Sequence, residues 1–278
     1  MDERFTVRNL KAGELTDMYL TFLDAFSDYP VSFQLSKEHF VRKFVQKLNI
    51  DFPLSSGVYD YSGALEAFIF TSVNFYQGKR TAYNGGTGVR PRKRGNRLTQ
   101  AMYEFLIPKF KREGIYQCVL EVLTQNSTAI KAYEGIGFER TQVFKCFTLR
   151  SEHLNSGNYP KVALELFNVN QPDFNTYEKF SDYSPSFLDS SNLLRHNLAN
   201  EIVVEARHDG TCVGYAVFQP SIGRISQSHL VLIQLIFKTH FLKEIQGFNC
   251  ICTNVQNGQG FLGAGIKNIV NKAGTNSI

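Results

Sequence analysis

The segment GTGVRPRKRGNRLT, residues 86–99, constrains the fold of this chain more than any other. Glycines, a proline and five cationic side chains stand here between two apolar segments. The preceding TAYNGGTGV predicts a strand, and the stripe of Leu98, Met102, Phe105 and Leu106 predicts a helix. A strand, a glycine-rich turn and a helix start in this order direct free backbone N–H groups at an anion. The segment therefore predicts an anion site, with phosphate as the obvious candidate.

The periodicity of the first half predicts a mixed domain of helices and strands. FTVRNL reads as a strand, two helical patterns follow, and a hairpin turns at DYSG. The full predicted order is one strand, two helices, three strands, a helix, a strand, a helix and a strand. We expect Pro108 to kink or shorten the helix after the loop, and Gly114 to end it.

The polar segment RSEHLNSGNYP, without periodicity, predicts a linker. We expect a first domain at residues 1–150, a linker at 151–160 and a smaller α/β domain at 161–278. The hairpin predicted at residues 201–218 roughly repeats the one at residues 58–70. An internal repeat and a coincidence between two ordinary hairpins both stay open.

Composition describes a globular chain with a local charge excess. Of 278 residues 43% are apolar, and 25 acidic residues accompany 30 basic ones, for a net charge of +5. The acidic start has no signal-peptide pattern, and the longest apolar run, HLVLIQLIF, is shorter than the roughly 20 residues of a membrane span. We expect a cytoplasmic protein with reduced cysteines, no nucleic-acid partner, no membrane partner and no metal site.

Several anion-binding motifs can be tested against the loop. The Walker loop needs Gly-Lys-Ser/Thr, but Asn96 and Arg97 follow Gly95 here. A dinucleotide fingerprint lacks its third glycine, and the segment does not open a βαβ unit. A nucleic-acid site built on the five cations and a merely solvated basic turn remain as alternatives. Neither explains why Val89-x-Pro91 ends the strand.

Two motifs resemble those of the Gcn5-related N-acetyltransferases (GNAT). Their loop runs Val-x-Pro-x-x-Arg-Gly-x-Gly-x-Gly/Ala; this chain matches it at Val89, Pro91, Arg94, Gly95 and Leu98. Arg97 stands at the central glycine and Thr99 at the last small residue. The second motif, the family's closing helix, is matched by Asn126, Ala129, Ile130, Tyr133, Gly137 and Phe138. The resemblance covers residues 5–149.

The resemblance implies an α+β fold with a central, mostly antiparallel, splayed mixed sheet flanked by helices. It implies acetyl-CoA as cofactor, with the pyrophosphate received by the backbone amides from Arg94 to Thr99. The cofactor-binding residues it implies are Thr87, Gly88, Val89, Arg94, Gly95, Asn96, Arg97, Leu98, Thr99, Asn126, Ala129 and Tyr133. Arg97 is expected to weaken or rearrange the cofactor contact, and Asn126 would serve equally well as a helix cap alone.

The resemblance also implies catalytic roles. The N–H of Val89 would be the oxyanion donor, and a β-bulge or a strand softened by Gly85, Gly86 and Gly88 would present it. Tyr133 would protonate the departing thiolate, unless it is only a packed aromatic residue. Glu66 and Glu121 are alternative general bases, although either could lie on a solvent face.

By the same resemblance the acceptor pocket forms between the first two helices. There Phe26, Tyr29 and Phe33 would form an aromatic wall and Asp28 would attract an amine. The expected acceptor is a small-molecule or peptide amine. A CoA-binding sensor without activity and an RNA-binding accessory protein are the alternatives.

The second half lacks a second phosphate loop, since residues 225–246 contain no glycine. It is interpreted as a degenerate GNAT-like half that walls the acceptor site or forms a homodimer.

Overall fold

A computed structural model describes residues 5–29, 35–149, 165–181, 184–220, 224–228, 250–253 and 261–269. The chain divides into two units, one of Met1–Gln142 with Ala264–Ile278 and the other of Val143–Gly263. The predicted linker and most of residues 225–246 lie outside the described residues, so the predicted domain limits stay a prediction.

The first unit contains a mixed sheet with helices on both faces. Its strands are β1 (Phe5–Asn9), β2 (Ser56–Asp60), β3 (Leu65–Tyr76), β4 (Lys79–Val89) and β5 (Gln117–Leu123). Its helices are α1 (Leu15–Ala25), α2 (Lys37–Phe40, continued as a π-helical segment at Val41–Lys47), α3 (Leu98–Arg112) and α4 (Ser127–Glu134). The strands lie in chain order; β1 to β4 are antiparallel neighbours, and β5 runs parallel to β4. With β6 (Glu139–Leu149), the predicted element order is confirmed.

Side-chain alternation along β3 explains the two helix layers, because successive residues of a strand face opposite sides of the sheet. On one face, Phe68 packs against Phe22 of α1, and Phe70 packs against Phe44 in the π-helical continuation of α2. The ring centres of Phe22 and Phe44 are 5.2 Å apart. Ala67 and Ile69 are buried in the core that includes α3. The sheet is therefore covered on both faces, as its nearly continuous apolar strands require.

Helix α3 runs through Pro108 to Arg112, so the predicted shortening is wrong. Leu106 and Phe110, on either side of the proline, are fully buried. Burial of two such side chains outweighs the roughly 3 kcal/mol that an interior proline costs. The predicted end of the helix is confirmed, with Gly114 in a left-handed conformation at φ +64°.

The second unit is built around β7 (Glu165–Asn168), β8 (Ile202–His208), β9 (Thr211–Gln219), β10 (Arg224–Ser228) and β11 (Cys250–Thr253). Its described helices are α5 (Phe174–Glu178) and α6 (Ser191–His196). Strands β7 to β10 form four antiparallel neighbours in chain order, and β11 runs parallel to β10 and antiparallel to β6. The last strand, β12, spans Phe261–Ile269.

In the residues that the structure describes, the second unit repeats an order found in the first: a strand, two helices, three antiparallel strands and later a strand parallel to the last of them. The register repeats as well. In β4 a bulge at Gly85 follows the last residue paired with β5, and in β10 a bulge at Ser226 follows the last residue paired with β11. A coincidence between two hairpins would not reproduce this arrangement, so the topology favours an internal repeat.

Within the described residues, no helix combines the length and the apolar character needed to cross a membrane.

Candidate functional site

Strands β4 and β5 part in the middle of the sheet. Their last paired residues are Asn84 and Leu120, yet β4 continues to Val89 and β5 to Leu123. On the other side of β4, Asn84 pairs with Thr71 of β3 and Gly86 pairs with Phe70. Gly85 between them has no partner on β3 and forms a bulge, directly after the last residue of β4 that pairs with β5. The expectation of a bulge is confirmed, and an opening forms where the ladder ends.

Backbone geometry directs two N–H groups of β4 toward this opening. The N–H of Arg90 donates to the carbonyl of Glu66 on β3 at 3.0 Å. Alternate residues of an antiparallel strand direct their N–H groups to opposite sides. Those of Val89 and Thr87 therefore face away from β3, toward the side that β5 has left. This is the orientation that the predicted oxyanion donor needs.

The glycines of β4 also allow close packing. A Cβ at Gly88 would lie 2.9 Å from the Cβ of Ala25 and would overlap the ring of Phe68, and one at Gly85 would overlap Leu48. Side chains at these positions would push the first two helices off the strand. The helices therefore approach the opening as closely as the backbone allows.

The loop after β4 offers unpaired backbone donors. A 3₁₀ turn at Pro91–Lys93 leads to Gly95, whose φ is +81° and whose surroundings are open. In the described part of the chain, the amides from Gly95 through Thr99 have no hydrogen-bond acceptor. They lie at the start of the fifteen-residue helix α3, where the helix dipole favours an anion. These residues fit a pyrophosphate group. Asn96 donates through its side chain to the carbonyl of Lys93 at 3.0 Å.

Arg97 adopts a left-handed conformation, with φ +54°, at the N-cap of α3. In a left-handed conformation a residue with a Cβ is about 1–2 kcal/mol less stable than glycine, which explains why the similar family usually has glycine at this position. The side chain is exposed, and its guanidinium has no partner among the described residues. It therefore extends into the surroundings of the loop.

Arg94 binds the connection after α1. Its guanidinium donates two hydrogen bonds to the carboxylate of Asp28, at 2.6 and 2.8 Å, and one to the carbonyl of Ala25 at 2.9 Å. Hydrogen bonding to Arg94 lowers the pKa of Asp28. Asp28 was expected to attract an amine, but both of its oxygens are engaged by this arginine. The pair connects the loop after β4 with the predicted acceptor loop.

Two further arginines pair with acidic residues beneath the loop. Arg90 donates to Asp24 at 2.6 Å, and Arg92 donates to Glu66 at 2.9 Å. With Arg94, three of the five cations of the segment are thus paired within the protein. Lys93 lies 5.0 Å from the ring centre of Phe5. This leaves less positive charge for a nucleic acid than the sequence indicated.

The two candidate bases differ in environment. Glu66 has only 1% of its side chain exposed and is held by Arg92, with Arg90 Nε at 3.7 Å. These contacts favour a structural ion pair over proton transfer. Glu121 is exposed and directly follows Leu120, the last residue of β5 paired with β4. It therefore lies where the opening begins.

Tyr133 lies at the opening, with 8% of its surface exposed. Burial raises the pKa of its hydroxyl to about 12, although hydrogen bonds with Thr87 and Asn84 act in the opposite direction. The hydroxyl therefore stays protonated at neutral pH, as a proton donor must. Tyr29 also acts electrostatically on this pKa, which places the α1–α2 connection near Tyr133.

The remaining predicted residues have mixed surroundings. Asn126 caps α4 and accepts from the N–H of Ala129 at 3.1 Å, so its capping role is observed. Phe26 and Tyr29 form an edge-to-face pair with ring centres 5.4 Å apart. Leu98 is buried in the core, Thr99 is partly buried, and Phe33 lies outside the described residues.

Sequence reasoning missed three buried residues near Tyr133, namely Asn84, Tyr103 and Cys118. Asn84 donates from Nδ2 to the Thr87 hydroxyl at 2.6 Å and to the Tyr103 hydroxyl at 2.7 Å. Tyr103 also hydrogen-bonds with Cys118, whose thiol pKa is raised to about 12 by burial. An asparagine inside the strand pattern TAYNGG was the available signal, because buried amides need partners.

Comparison with known proteins places this site in context. Residues 21–138 match the model of the acetyltransferase (GNAT) family. A curated relative, N-alpha-acetyltransferase 30 of Saccharomyces cerevisiae, is 33% identical over 85 residues. That stretch covers 30% of this chain and 45% of the relative, so less than half of the relative's length is matched.

Solved structures match almost the whole chain. A GCN5-related N-acetyltransferase from Sphaerobacter thermophilus has 13% identity and a TM-score of 0.70, with 97% of each chain covered. A putative acetyltransferase from Pyrococcus horikoshii has 14% identity and a TM-score of 0.66, covering 98% of this chain and 92% of that one. A tandem GNAT protein from the clavulanic acid biosynthesis pathway has 12% identity and a TM-score of 0.65, covering 97% and 100%. At these identities the likeness shows the fold alone, and the predicted fold class is confirmed.

Proposed function

The N-terminal region of the chain belongs to the acetyltransferase (GNAT) family, and from this premise we propose that the protein is an N-acetyltransferase. It transfers an acetyl group from acetyl-CoA to a primary amine of a peptide or small molecule, by direct attack of the amine. The observation that carries the proposal is the proximity of two features along the chain. A single short loop separates the opening beside Val89 from the unpaired amides of Gly95 through Thr99.

The loop amides from Gly95 to Thr99 would hold the pyrophosphate of acetyl-CoA, and the N–H groups of Thr87 and Val89 would face its acyl arm. When bound, acetyl-CoA supplies an acetyl thioester, whose carbonyl carbon accepts a nucleophile and whose sulfur leaves as a thiolate. Three arginine side chains of the loop hold the loop itself in place. Ion pairs with acidic residues fix the turn against the sheet through Arg90, Arg92 and Arg94.

Three residues at the opening would each have one role in the transfer. In the transfer a C–N bond would form and the C–S bond would break. The Val89 N–H would donate to the carbonyl oxygen as negative charge develops there, a contact worth roughly 3 kcal/mol in other enzymes. The proton of the Tyr133 hydroxyl would go to the departing sulfur, and Glu121, directly or through water, would take the proton that the amine loses.

The acceptor is proposed to reach the carbonyl beside the α1–α2 connection. Phe26 and Tyr29 provide an aromatic surface there. The name of the yeast relative refers to acetylation of an α-amine, which favours a peptide N-terminus over a small-molecule amine. We place this activity in the cytoplasm, and we propose that the second unit is a degenerate GNAT-like repeat that forms a homodimer.

One observation favours a second candidate function, a CoA-binding protein without transferase activity. Arg97 introduces a side chain and a strained backbone at a position where the resembling family has glycine. Such a protein would bind acetyl-CoA and would transfer nothing.

An acetyl-transfer assay separates the two functions. Purified protein is incubated with acetyl-CoA and twenty peptides that differ only in their first residue, together with a panel of small amines, and thiol release and acetylated products are both measured. The proposal predicts acetylated product from at least one peptide. Binding of acetyl-CoA with no acetylated product from any acceptor would contradict the transferase and support the CoA-binding protein without transferase activity.

A further inference from the structure

We propose that the side chain of Asn84 holds the bulge at Gly85 and thereby directs the N–H of Val89 at the opening, which makes Asn84 a positioning residue. The inference rests on the proposed function, in which this N–H donates to the carbonyl oxygen of the acetyl group. Asn84 acts on the donor through the backbone register of β4, so its effect can be measured without any acetyl transfer.

The bulge decides which N–H groups of β4 face the opening. In the structure Arg90 lies opposite Glu66 and donates its N–H to that carbonyl at 3.0 Å. Without the extra residue β4 would take a regular register, in which every residue after Asn84 shifts by one position along β3 and Val89 lies opposite Glu66. The Val89 N–H would then donate to the Glu66 carbonyl. The proposed oxyanion donor therefore exists only in the bulged register.

The backbone of β4 alone specifies this register weakly. Strand β5 pairs with β4 only as far as Asn84, so the ladder on that side does not hold residues 85–89. Gly85 and Gly86 have no side chain whose packing on one face would distinguish the two registers, and glycine-rich strands are prone to slip. A further contact is needed to hold the bulge.

The side chain of Asn84 bridges the bulge. Its Oδ1 accepts the N–H of Gly86 at 3.0 Å, and its Nδ2 donates to the hydroxyl of Thr87 at 2.6 Å. Both partners lie beyond the extra residue, Gly85. Nδ2 also donates to the hydroxyl of Tyr103 on α3 at 2.7 Å, and both of these residues are buried. The amide therefore connects the bulge with the helix that begins at the loop.

The hydrogen bond between Asn84 and Thr87 is specific to the bulged register. Residues three positions apart in a regular strand point to opposite faces of the sheet. Here Asn84 and Thr87 lie opposite Thr71 and Ile69 of β3, which are two positions apart and share a face. Only the bulge places the two side chains on one face. A hydrogen bond that exists in one register and not in the other shifts the equilibrium toward the first.

Amide hydrogen exchange followed by NMR distinguishes the two registers, because they protect different N–H groups. In the bulged register the N–H groups of Gly88 and Arg90 face β3, whereas that of Val89 does not. In Asn84→Ala we expect exchange to slow at least about threefold at Val89 and to quicken at least about tenfold at Gly88 and Arg90. Loosening of β4 without a change of register would quicken exchange at all three.

The same variant should separate kcat from KM. Loss of the oxyanion donor should lower kcat about 10-fold to 100-fold, while KM for acetyl-CoA stays within about threefold. The reason is that the ion pairs of Arg90, Arg92 and Arg94 still hold the loop whose amides bind the pyrophosphate.

A conservative variant and a matched control complete the test. Asn84→Asp keeps two acceptor oxygens, which can take the Gly86 N–H and the hydroxyl protons of Thr87 and Tyr103, so it should keep the wild-type exchange pattern. The control is Asn74→Ala in β3. Asn74 is partly buried and accepts the N–H of the adjacent Phe75 at 2.8 Å, a contact that bridges no bulge. It should keep the wild-type pattern and kcat.

Opposed shifts at Val89 and Arg90 in Asn84→Ala support the inference. Exchange within about twofold of wild type at both residues overturns it, as does faster exchange at both. Should Asn84→Ala fail to fold by circular dichroism, Thr87→Val removes only the hydrogen bond across the bulge. Opposed shifts in that variant support the inference, and an unchanged pattern overturns it. A wild-type protein that acetylates no acceptor contradicts the proposed function, while the exchange pattern still decides the role of Asn84 in the register.

Discussion

Tyr133 shows how burial adapts one residue to its proposed task. Its pKa of about 12 keeps the proton on the oxygen, and the side chains of Thr87 and Asn84 stabilise the phenolate when the proton leaves. We predict that Tyr133→Phe lowers kcat about 100-fold and leaves the thermal shift by acetyl-CoA unchanged, because only the proton donor is lost. Steady-state kinetics and thermal unfolding check the two halves. Full activity in this variant would leave Tyr133 as packing alone.

Arg92 shows that one of the loop's cations supports the fold. Without it, Glu66 keeps only the longer contact to Arg90 at 3.7 Å while remaining almost fully buried. We predict that Arg92→Ser lowers the free energy of unfolding, because the buried carboxylate of Glu66 then loses its nearer partner. Urea denaturation measures it.

Lys93→Ser is the matched control for Arg92→Ser, since Lys93 is the next residue of the same 3₁₀ turn and its ammonium lies over the ring of Phe5. It should cost less than about 0.5 kcal/mol. Equal stabilities of the two variants would contradict the structural role of Arg92.

The sequence predicted residues whose chemistry is local and missed those whose partners are distant. Asn126 as a helix cap and the glycine-rich loop follow from spacing within one short segment. The pairing of Arg94 with Asp28 joins positions 66 apart, and no local pattern encodes it. For the same reason Asp28 was assigned to an amine, although a nearby arginine engages its carboxylate.

At the scale of elements, the sequence predicted the order of strands and helices in the first unit because periods of 2 and 3.6 residues are distinct. It could not predict that α3 continues through Pro108, because that depends on the burial of Leu106 and Phe110 against other elements. Nor could it predict the left-handed turn at Arg97, which local preference disfavours.

The start of α3 is the element on which the cofactor site depends. Gly95→Glu adds a negative charge beside the unpaired amides and a Cβ at φ +81°. We predict that this variant loses the rise in unfolding midpoint that acetyl-CoA gives the wild type, because the new carboxylate repels the pyrophosphate.

The control for this variant is Gly78→Glu. Gly78 has φ +71° and open surroundings in the turn between β3 and β4, so the backbone strain is similar. It should keep the full acetyl-CoA shift despite a lower midpoint. A Gly95→Glu variant that responds to acetyl-CoA like this control would contradict the phosphate site.

At the scale of the whole molecule, two units share one topology and differ in chemistry. The second unit repeats the bulge and the parallel neighbour of the first, but its bulge residue Ser226 is buried and bonded to Glu201. Its buried Asp189 forms an ion pair with the partly exposed Arg224 at 2.6 Å. The sequence after Ser226 has no glycine-rich phosphate loop, since residues 227–246 contain no glycine. We therefore expect a single acetyl-CoA site in the chain, in the first unit.

Isothermal titration calorimetry of the folded wild-type protein with acetyl-CoA tests the central claim most directly, namely that the backbone amides at the start of α3 hold a pyrophosphate. We predict measurable heat with a stoichiometry of one molecule per chain. A well-folded sample that gives no heat of binding would contradict the account.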